Sequence, residues 1–214
     1  MKLYDLNLKD FVEAIDSSSP APGGGSVSAL SGTMGVALSR MVGHLTVDKK
    51  KFLALPKEIQ YEFMDVNQAL ILIKNELSIL IDEDTNAFNQ IMKAYKMKKD
   101  SAIDVIERNQ AIQAGTLEAI RVPIKVATLS LAALHQLPII IEHGNKSAIS
   151  DLGVSILMLS SAIEGACMNV LINLPSLDDQ VAKEQYKHQV KDLMEMMSIS
   201  KKALLTSIYS FLEK

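Results

Sequence analysis

The side chain most able to do acid–base chemistry from an unusual position is an aspartate. Between Pro56 and about Met97, apolar residues recur at steps of three and four: Ile59, Phe63, Val66, Leu70, Ile73, Leu77, Leu80/Ile81, Phe88, Ile91 and Tyr95. At about 100° per residue these form one face of a helix. Asp84 falls in the middle of that face, four residues after Leu80 and four before Phe88, whereas Asp82 projects nearly opposite it and Glu83 lies on the polar flank. An acid on an apolar face must be paired, protonated or turned to a ligand pocket, because an unpaired buried carboxylate is costly. Desolvation raises its pKa towards the range where a carboxyl can donate or accept a proton near neutral pH. A face that opens to solvent at Asp84, or meets a Lys or Arg there, would explain the pattern without chemistry.

The second candidate is Pro20-Ala21-Pro22-Gly23-Gly24-Gly25-Ser26. Two prolines stiffen the approach, and three glycines are expected to take positive φ and let the backbone come close to whatever sits against it. A glycine-rich turn feeding a helix exposes unpaired N–H groups and the positive end of the helix dipole, which suits an anionic or polar group. No Gly-Lys-Ser/Thr follows and no strand precedes, so this is not a P-loop. His44, His135, His143 and His188 are dispersed, with no carboxylate or cysteine at ligand spacing, so no metal site is expected. Only His143, beside Gly144-Asn145, lies near a candidate site. Cys167 on an apolar helix reads as core, and Met194, Met196 and Met197 read as core or interface.

The elements that must position these residues are helices; no alternating strand pattern appears. Leu8 to Ile15 makes a short amphipathic opener with Phe11, Val12 and Ile15 on one side. After the glycines comes a helix with a bulky stripe (Val27, Leu30, Met34, Leu38, Met41, Leu45) and a nearly bare one (Ser28, Gly32, Gly35, Ser39, Gly43). It is expected to be central and buried, its bare face admitting another helix or a flat ligand. The helix carrying Asp84 would run for roughly forty residues and span about 60 Å. That is more than a compact domain of this size needs, which predicts a break or packing across a subunit interface. Another run covers about Ser101 to Gln136, kinked at Pro123 and ended by Pro138. The loop Glu142-His143-Gly144-Asn145 leads to a helix starting at Ser150-Asp151 and running to about Leu174. A last amphipathic helix from about Asp179 carries Tyr186, Val190, Leu193, Met197, Leu204, Ile208 and Phe211.

Length and composition frame these elements. The 214 residues are read as one domain spanning residues 1–214, an all-α bundle of long, partly kinked helices. A hydrophobic content of 48% and a mean hydropathy of +0.16 point to a large core or a buried oligomeric face. A net charge of −3, with no basic groove interleaved with aromatics, argues against a nucleic-acid partner. A single cysteine forms no internal disulfide and no signal peptide precedes the first helix, so the cytoplasm is expected. The helix after the glycines carries Arg40, His44 and several serines, which argues against a membrane span.

The ordered series of motifs resembles a known family. It comprises Pro20 to Ser26; Met41-Val42 with Thr46 and Lys49-Lys50 before Phe52; Asp82-x-Asp84-x-x-Ala87-Phe88; Val122-Pro123; Gly144-Asn145; Ser150-Asp151; and Asn169 to Leu174. Together these are similar to the cyclodeaminase domain of formiminotransferase-cyclodeaminase and its stand-alone bacterial relatives, some described as methenyltetrahydrofolate cyclohydrolases. Two departures stand out. Asp48 replaces a common glycine before the basic pair, and Lys96-Met97-Lys98-Lys99 replaces a common Lys-Leu-Pro-Lys.

The resemblance implies an all-helical fold that dimerises through helix faces, holds tetrahydrofolate beside the glycine loop, and uses Asp84 as proton donor. The implied reaction closes 5-formimino-tetrahydrofolate to 5,10-methenyl-tetrahydrofolate with loss of ammonia; the alternative is hydrolysis of the methenyl bridge to 10-formyl-tetrahydrofolate. A non-catalytic folate-binding or helical interaction protein is the alternative of another class. On the enzyme reading, Pro22 and the backbone of Gly23, Gly24, Gly25 and Ser26 contact the pterin or the benzoyl-glutamate. Lys49, Lys50 or Arg121 attract the glutamate tail, or are solvated surface charges. Asn145 and Asp151 bond the pterin edge or serve as loop and helix caps. Asn169 and Asn173 are assigned to capping or to bridging subunits. No cofactor beyond the folate substrate is expected, and a separate formiminotransferase is a candidate partner.

Overall fold

The computed structural model describes residues 2–213, which form seven α-helices and no β-strand. They are α1 (Leu8–Ile15), α2 (Gly24–His44), α3 (Lys50–Leu53), α4 (Lys57–Tyr95), α5 (Ala102–His143), α6 (Ile149–Asn173) and α7 (Gln180–Leu212). Single-turn 3-10 helices sit at Leu3–Asp5, Lys146–Ala148 and Leu174–Ser176. Side chains fix several starts. Asn7 accepts the Asp10 N–H to open α1, and Asp179 accepts the Val181 and Ala182 N–H groups to open α7. Ser101 and Asp104 form a reciprocal capping box at α5, worth about 1 kcal/mol. The four-residue α3 is too short to leave a periodic signal.

The helix carrying Asp84 has no break: α4 runs 39 residues and packs along α5, which runs 42. The great length of one helix is matched by the other within the same chain. Contrary to expectation, Pro138 does not end α5, which continues to His143. A proline removes one N–H and so one helical bond. Leu137 and Ile140, fully buried on either side of it, hold the segment in place. At Pro123 the missing bond would have gone to the Ala119 carbonyl, which instead accepts from Asn173 Nδ2 on α6 at 3.2 Å. Asn173 therefore repairs a proline defect.

The central helix α2 lies between α4 and α6, and its bare stripe admits another helix as expected. Its bare stripe faces inward: Ser28, Gly32, Gly35, Ser39 and Gly43 are all buried. A β-carbon on Gly35 would stand 2.9 Å from Leu159 and 3.1 Å from the Ser155 carbonyl, and one on Gly32 would stand 2.8 Å from Ser130 Oγ. The tight approach of α6 and its neighbours requires small residues there. Ser31 Oγ donates to the Met158 carbonyl at 2.8 Å, and Ser155 Oγ donates to the Gly35 carbonyl at 2.7 Å. These pairings make α2 and α6 antiparallel. The bulky stripe consequently faces out, with Val27, Met34, Met41 and Leu45 between 37% and 46% exposed. Beside it α6 exposes Val154, Leu157, Met168 and Leu171.

The remaining elements cover the bundle. On α7, Val190, Leu193, Met197, Leu204 and Ile208 are buried, while Phe211 at its end is exposed. On α1 only Phe11 is buried; Val12 and Ile15 are exposed. The Leu3–Asp5 turn is tied to α4 by Asp82, whose carboxylate accepts the Leu3 N–H at 2.6 Å. Two stretches, one within α5 and one within Lys146–Ser176, are long and apolar enough to cross a membrane; 56% and 50% of these windows are buried in the bundle.

Candidate functional site

Asp84 meets the first turn of α2. It lies on α4 between the buried Ile81 and Ala87, half-buried itself, where the periodicity placed it. A β-carbon at Gly25 would overlap its carboxyl group. Gly25 therefore exists to let an acid from a neighbouring helix reach the backbone of α2. The expected positive φ is absent: no glycine among the described residues adopts it. The demand at this loop is for space, and the three glycines meet it unequally. A β-carbon at Gly24 would sit 3.3 Å from Asn169 Nδ2, and one at Gly23 would meet only the Pro20 carbonyl at an ordinary 3.5 Å. Pro22, after a cis Ala21–Pro22 peptide, is buried beneath the loop.

Gly23 is the N-cap of α2 and has no side chain to cap it. Asp84 reaches the positive end of α2 from α4, its Oδ2 accepting from Ser26 Oγ at 3.2 Å, and the Ser26 N–H is one of the groups that favour its charged form. Ser26 Oγ is 2.8 Å from the Ile81 carbonyl, 3.1 Å from Thr85 Oγ1 and 3.2 Å from Asp84 Oδ2. A hydroxyl has one hydrogen. Ser26 can give it to the Ile81 carbonyl or to Asp84 Oδ2, and in the second case it favours the ionised carboxylate. Burial pushes the Asp84 pKa above the ordinary carboxylate value; the bonds from the Ser26 hydroxyl and N–H pull it back in part. The result is an acid able to hold its proton longer than a surface aspartate, beside the exposed Gly24.

The other residues singled out in the sequence do not gather here. Lys49, Lys50 and Asn145 line a cavity of about 580 Å³ with Thr46, Lys51 and His143 at the far end of α2. The 21 residues of α2 separate the two ends by about 30 Å. Asp151, in the first turn of α6, lies at that far end as well, because α6 runs antiparallel to α2. Within one protomer, none of these reaches the group that contacts Asp84. The Asn145 N–H donates to Thr46 Oγ1 at 2.9 Å and its Oδ1 accepts the Ser147 N–H at 3.1 Å, so it locks the turn between α5 and α6. Arg121 lies exposed on α5, its guanidinium held by Glu118 at 2.9 Å. Among the described residues no three His, Cys, Asp or Glu side chains gather as a metal site.

One residue at the α2 N-terminus, Thr85, escaped the sequence reading, and another, Asn169, was assigned to capping or to bridging subunits. Thr85 touches Ser26, and Asn169 from α6 lies against Gly24 on the other flank. Asn169 was grouped with Asn173 because they share a helix face, but the structure separates their surroundings: Asn173 binds the α5 backbone and Asn169 faces the glycine turn.

Comparisons with known proteins show which family the chain resembles. The family model for formiminotransferase-cyclodeaminase matches residues 7–192. The formimidoyltransferase-cyclodeaminase of Rattus norvegicus is 34% identical over 193 residues, covering 90% of this chain and 35% of the rat protein. The chain thus spans about a third of that relative's length. The methenyltetrahydrofolate cyclohydrolase of Methylorubrum extorquens is 31% identical over 187 residues, covering 87% of this chain and 88% of that protein. The crystal structure of formiminotetrahydrofolate cyclodeaminase from Thermotoga maritima superposes with a TM-score of 0.79 at 27% identity, covering 99% of this chain and 98% of that one.

Proposed function

The chain belongs to the formiminotransferase-cyclodeaminase family, and from that premise we propose that it converts 5-formimino-tetrahydrofolate to 5,10-methenyl-tetrahydrofolate with release of ammonia. The observation that carries the proposal is the Asp84 carboxyl, its pKa raised by burial, set against the glycine turn of α2.

The chemistry needs two things from the protein. N5 and N10 must be held so that N10 can attack the formimino carbon, a proximity effect. The C–N bond to the departing nitrogen must then break, and that nitrogen must take a proton to leave as ammonia. Asp84 holds a proton to give, and the Ser26 N–H and hydroxyl fix its direction and steady the carboxylate left behind. The free N–H groups at the start of α2 offer donors to the carbonyl or carboxylate groups of the folate. Ring closure is redox-neutral, so the reading calls for no cofactor beyond the folate.

A second reading has its own support: the cyclohydrolase relative is matched along most of its length. There water adds to the methenyl carbon, and Asp84 in its ionised form would accept the water's proton. The two readings need opposite protonation states of one group. Acid catalysis declines as pH rises through the raised pKa; base catalysis declines as pH falls through it.

The exposed bulky stripe of α2, with Leu157 and Met168 of α6 beside it, supports a homodimer formed through these helix faces. It also accounts for apolar residues that the single-chain core leaves uncovered. The test of function is an assay with both folates, following gain or loss of the methenyl chromophore. Formation from the formimino substrate supports cyclodeamination, and loss of the methenyl substrate alone supports the second reading. If the folded protein turns over neither, the enzyme reading fails; a thermal shift with tetrahydrofolate then separates a folate-binding protein from an interaction module.

A further inference from the structure

Asn169 is the asparagine that lies against the glycine turn facing Asp84; Asn67, whose amide is held in the same way, lies against Gly43 at the other end of α2. Asn169 Nδ2 donates to the Gly165 carbonyl at 2.8 Å, and a carbonyl can only accept, so the orientation of the amide is fixed. Among the described residues Oδ1 receives no hydrogen bond, yet the group is only half-buried, so this acceptor opens onto accessible space. Both amide atoms lie near the point a β-carbon on Gly24 would occupy, Nδ2 at 3.3 Å and Oδ1 at 3.7 Å. Gly24 is exposed, and the next residue, Gly25, carries the Asp84 contact. Successive residues of a helix project about 100° apart. Asp84 from α4 and Asn169 from α6 thus flank one turn from different sides, a proton donor and a fixed, free acceptor around the same backbone.

We propose that Asn169 Oδ1 accepts an N–H of the substrate's departing amine, making it a residue that selects the amine-bearing folate over the methenyl form. This rests on the reading of Asp84 as the acid of cyclodeamination. The formimino group carries N–H hydrogens, and the nitrogen gains one more on leaving. An acceptor on the side away from Asp84 holds that nitrogen with its lone pair towards the acid. The methenyl bridge has no such N–H, so the same acceptor contributes nothing to its binding or hydrolysis. Asn173, one turn further on, is held against the α5 backbone at Ala119, whereas Asn169 is the one that meets Gly24.

The experiment compares wild type, Asn169→Ala, Gly24→Ala and Gly23→Ala of the full chain. It measures kcat and KM with 5-formimino-tetrahydrofolate and the Kd of plain tetrahydrofolate, which has no formimino nitrogen. Asn169→Ala should lower kcat by about 10- to 100-fold, the range for removing one hydrogen bond that a site is built to make, and leave the tetrahydrofolate Kd within about threefold. Gly24→Ala pushes a methyl against the Asn169 amide without deleting it and should give a smaller fall in the same direction; it keeps the test open if the first variant does not fold. Gly23→Ala, whose β-carbon meets only an ordinary contact and not the Asn169 amide, should lower kcat less than Gly24→Ala does. An unchanged kcat in both altered variants overturns the inference, as does an equal loss of tetrahydrofolate affinity, which would mark a general binding or structural role. Wild type active on the methenyl substrate alone overturns it while sparing the second functional reading; wild type inactive on both removes both.

Discussion

The two ends of α2 carry similar-looking polar clusters and differ in how their residues are held. At the N-terminus, Asp84 sits where only a glycine leaves room, reaches the start of a helix that has no side-chain cap of its own, and keeps a pKa shifted by burial. At the C-terminus, Lys49 and Lys50 are exposed, and the hydrogen bonds of Asn145 are accounted for by a turn. The first end is an arrangement whose parts exist for one another; the second is a basic cavity rim built on ordinary loop capping. The contrast teaches that residue type and proximity to a glycine do not make a site. A backbone cleared for a desolvated acid does.

The largest effect that sharpens this contrast is expected from Gly25→Ala. Its methyl would overlap the Asp84 carboxyl and force the acid away, so turnover should fall by at least about 10²-fold, the lower range for losing a positioned general acid. Steady-state kinetics with circular dichroism as a check on folding will show it. Next in size, Met34→Lys together with Leu157→Lys should shift the protein to monomer in light scattering at micromolar concentration, because each places a charge on the exposed apolar face. A dimer that survives both substitutions would locate the interface elsewhere. Lys49→Ala with Lys50→Ala should raise KM by a few-fold with kcat unchanged, since screened surface charges act as attraction for an anionic tail. If that pair instead lowers kcat as far as Gly25→Ala does, the two ends of α2 belong to one site. A single protomer cannot form such a site across about 30 Å. Gly23→Ala, whose β-carbon meets only an ordinary contact, should lower turnover less than Gly25→Ala does.

Much of this was legible in the sequence, and the gaps have physical causes. The position of Asp84 on its helix follows from the 3.6-residue period, which fixes an angle without any knowledge of tertiary contacts. Periodicity also divided α2 into a bulky and a bare face, but not which of them the bundle would bury. That choice depends on how closely α6 approaches, and the glycines at 32 and 35 decide it. The end of α5 was misjudged because a proline costs one bond, which buried neighbours such as Leu137 and Ile140 can offset. The pairing of Gly25 with Asp84 and of Gly24 with Asn169 joins residues far apart in sequence, so no local pattern reports it. One signal was available: three consecutive glycines that no P-loop explains need not share one purpose, and here each has a different neighbour.

Asp84 also makes a stability prediction. Its pKa is raised in the folded protein, so its contribution to stability is present below the ordinary aspartate pKa and lost as pH rises through the folded value. Asp84→Asn cannot ionise, and its melting temperature relative to wild type should therefore rise as pH climbs from the ordinary aspartate pKa through the raised folded value. The most direct test is the pH–rate profile of wild type and Asp84→Asn with 5-formimino-tetrahydrofolate. The account predicts a wild-type rate that declines as pH rises through the raised pKa, and a variant slower by about 10²- to 10⁴-fold with that limb gone. A variant that keeps its rate within a few-fold, or keeps the same pH limb, would contradict the assignment of the proton to Asp84.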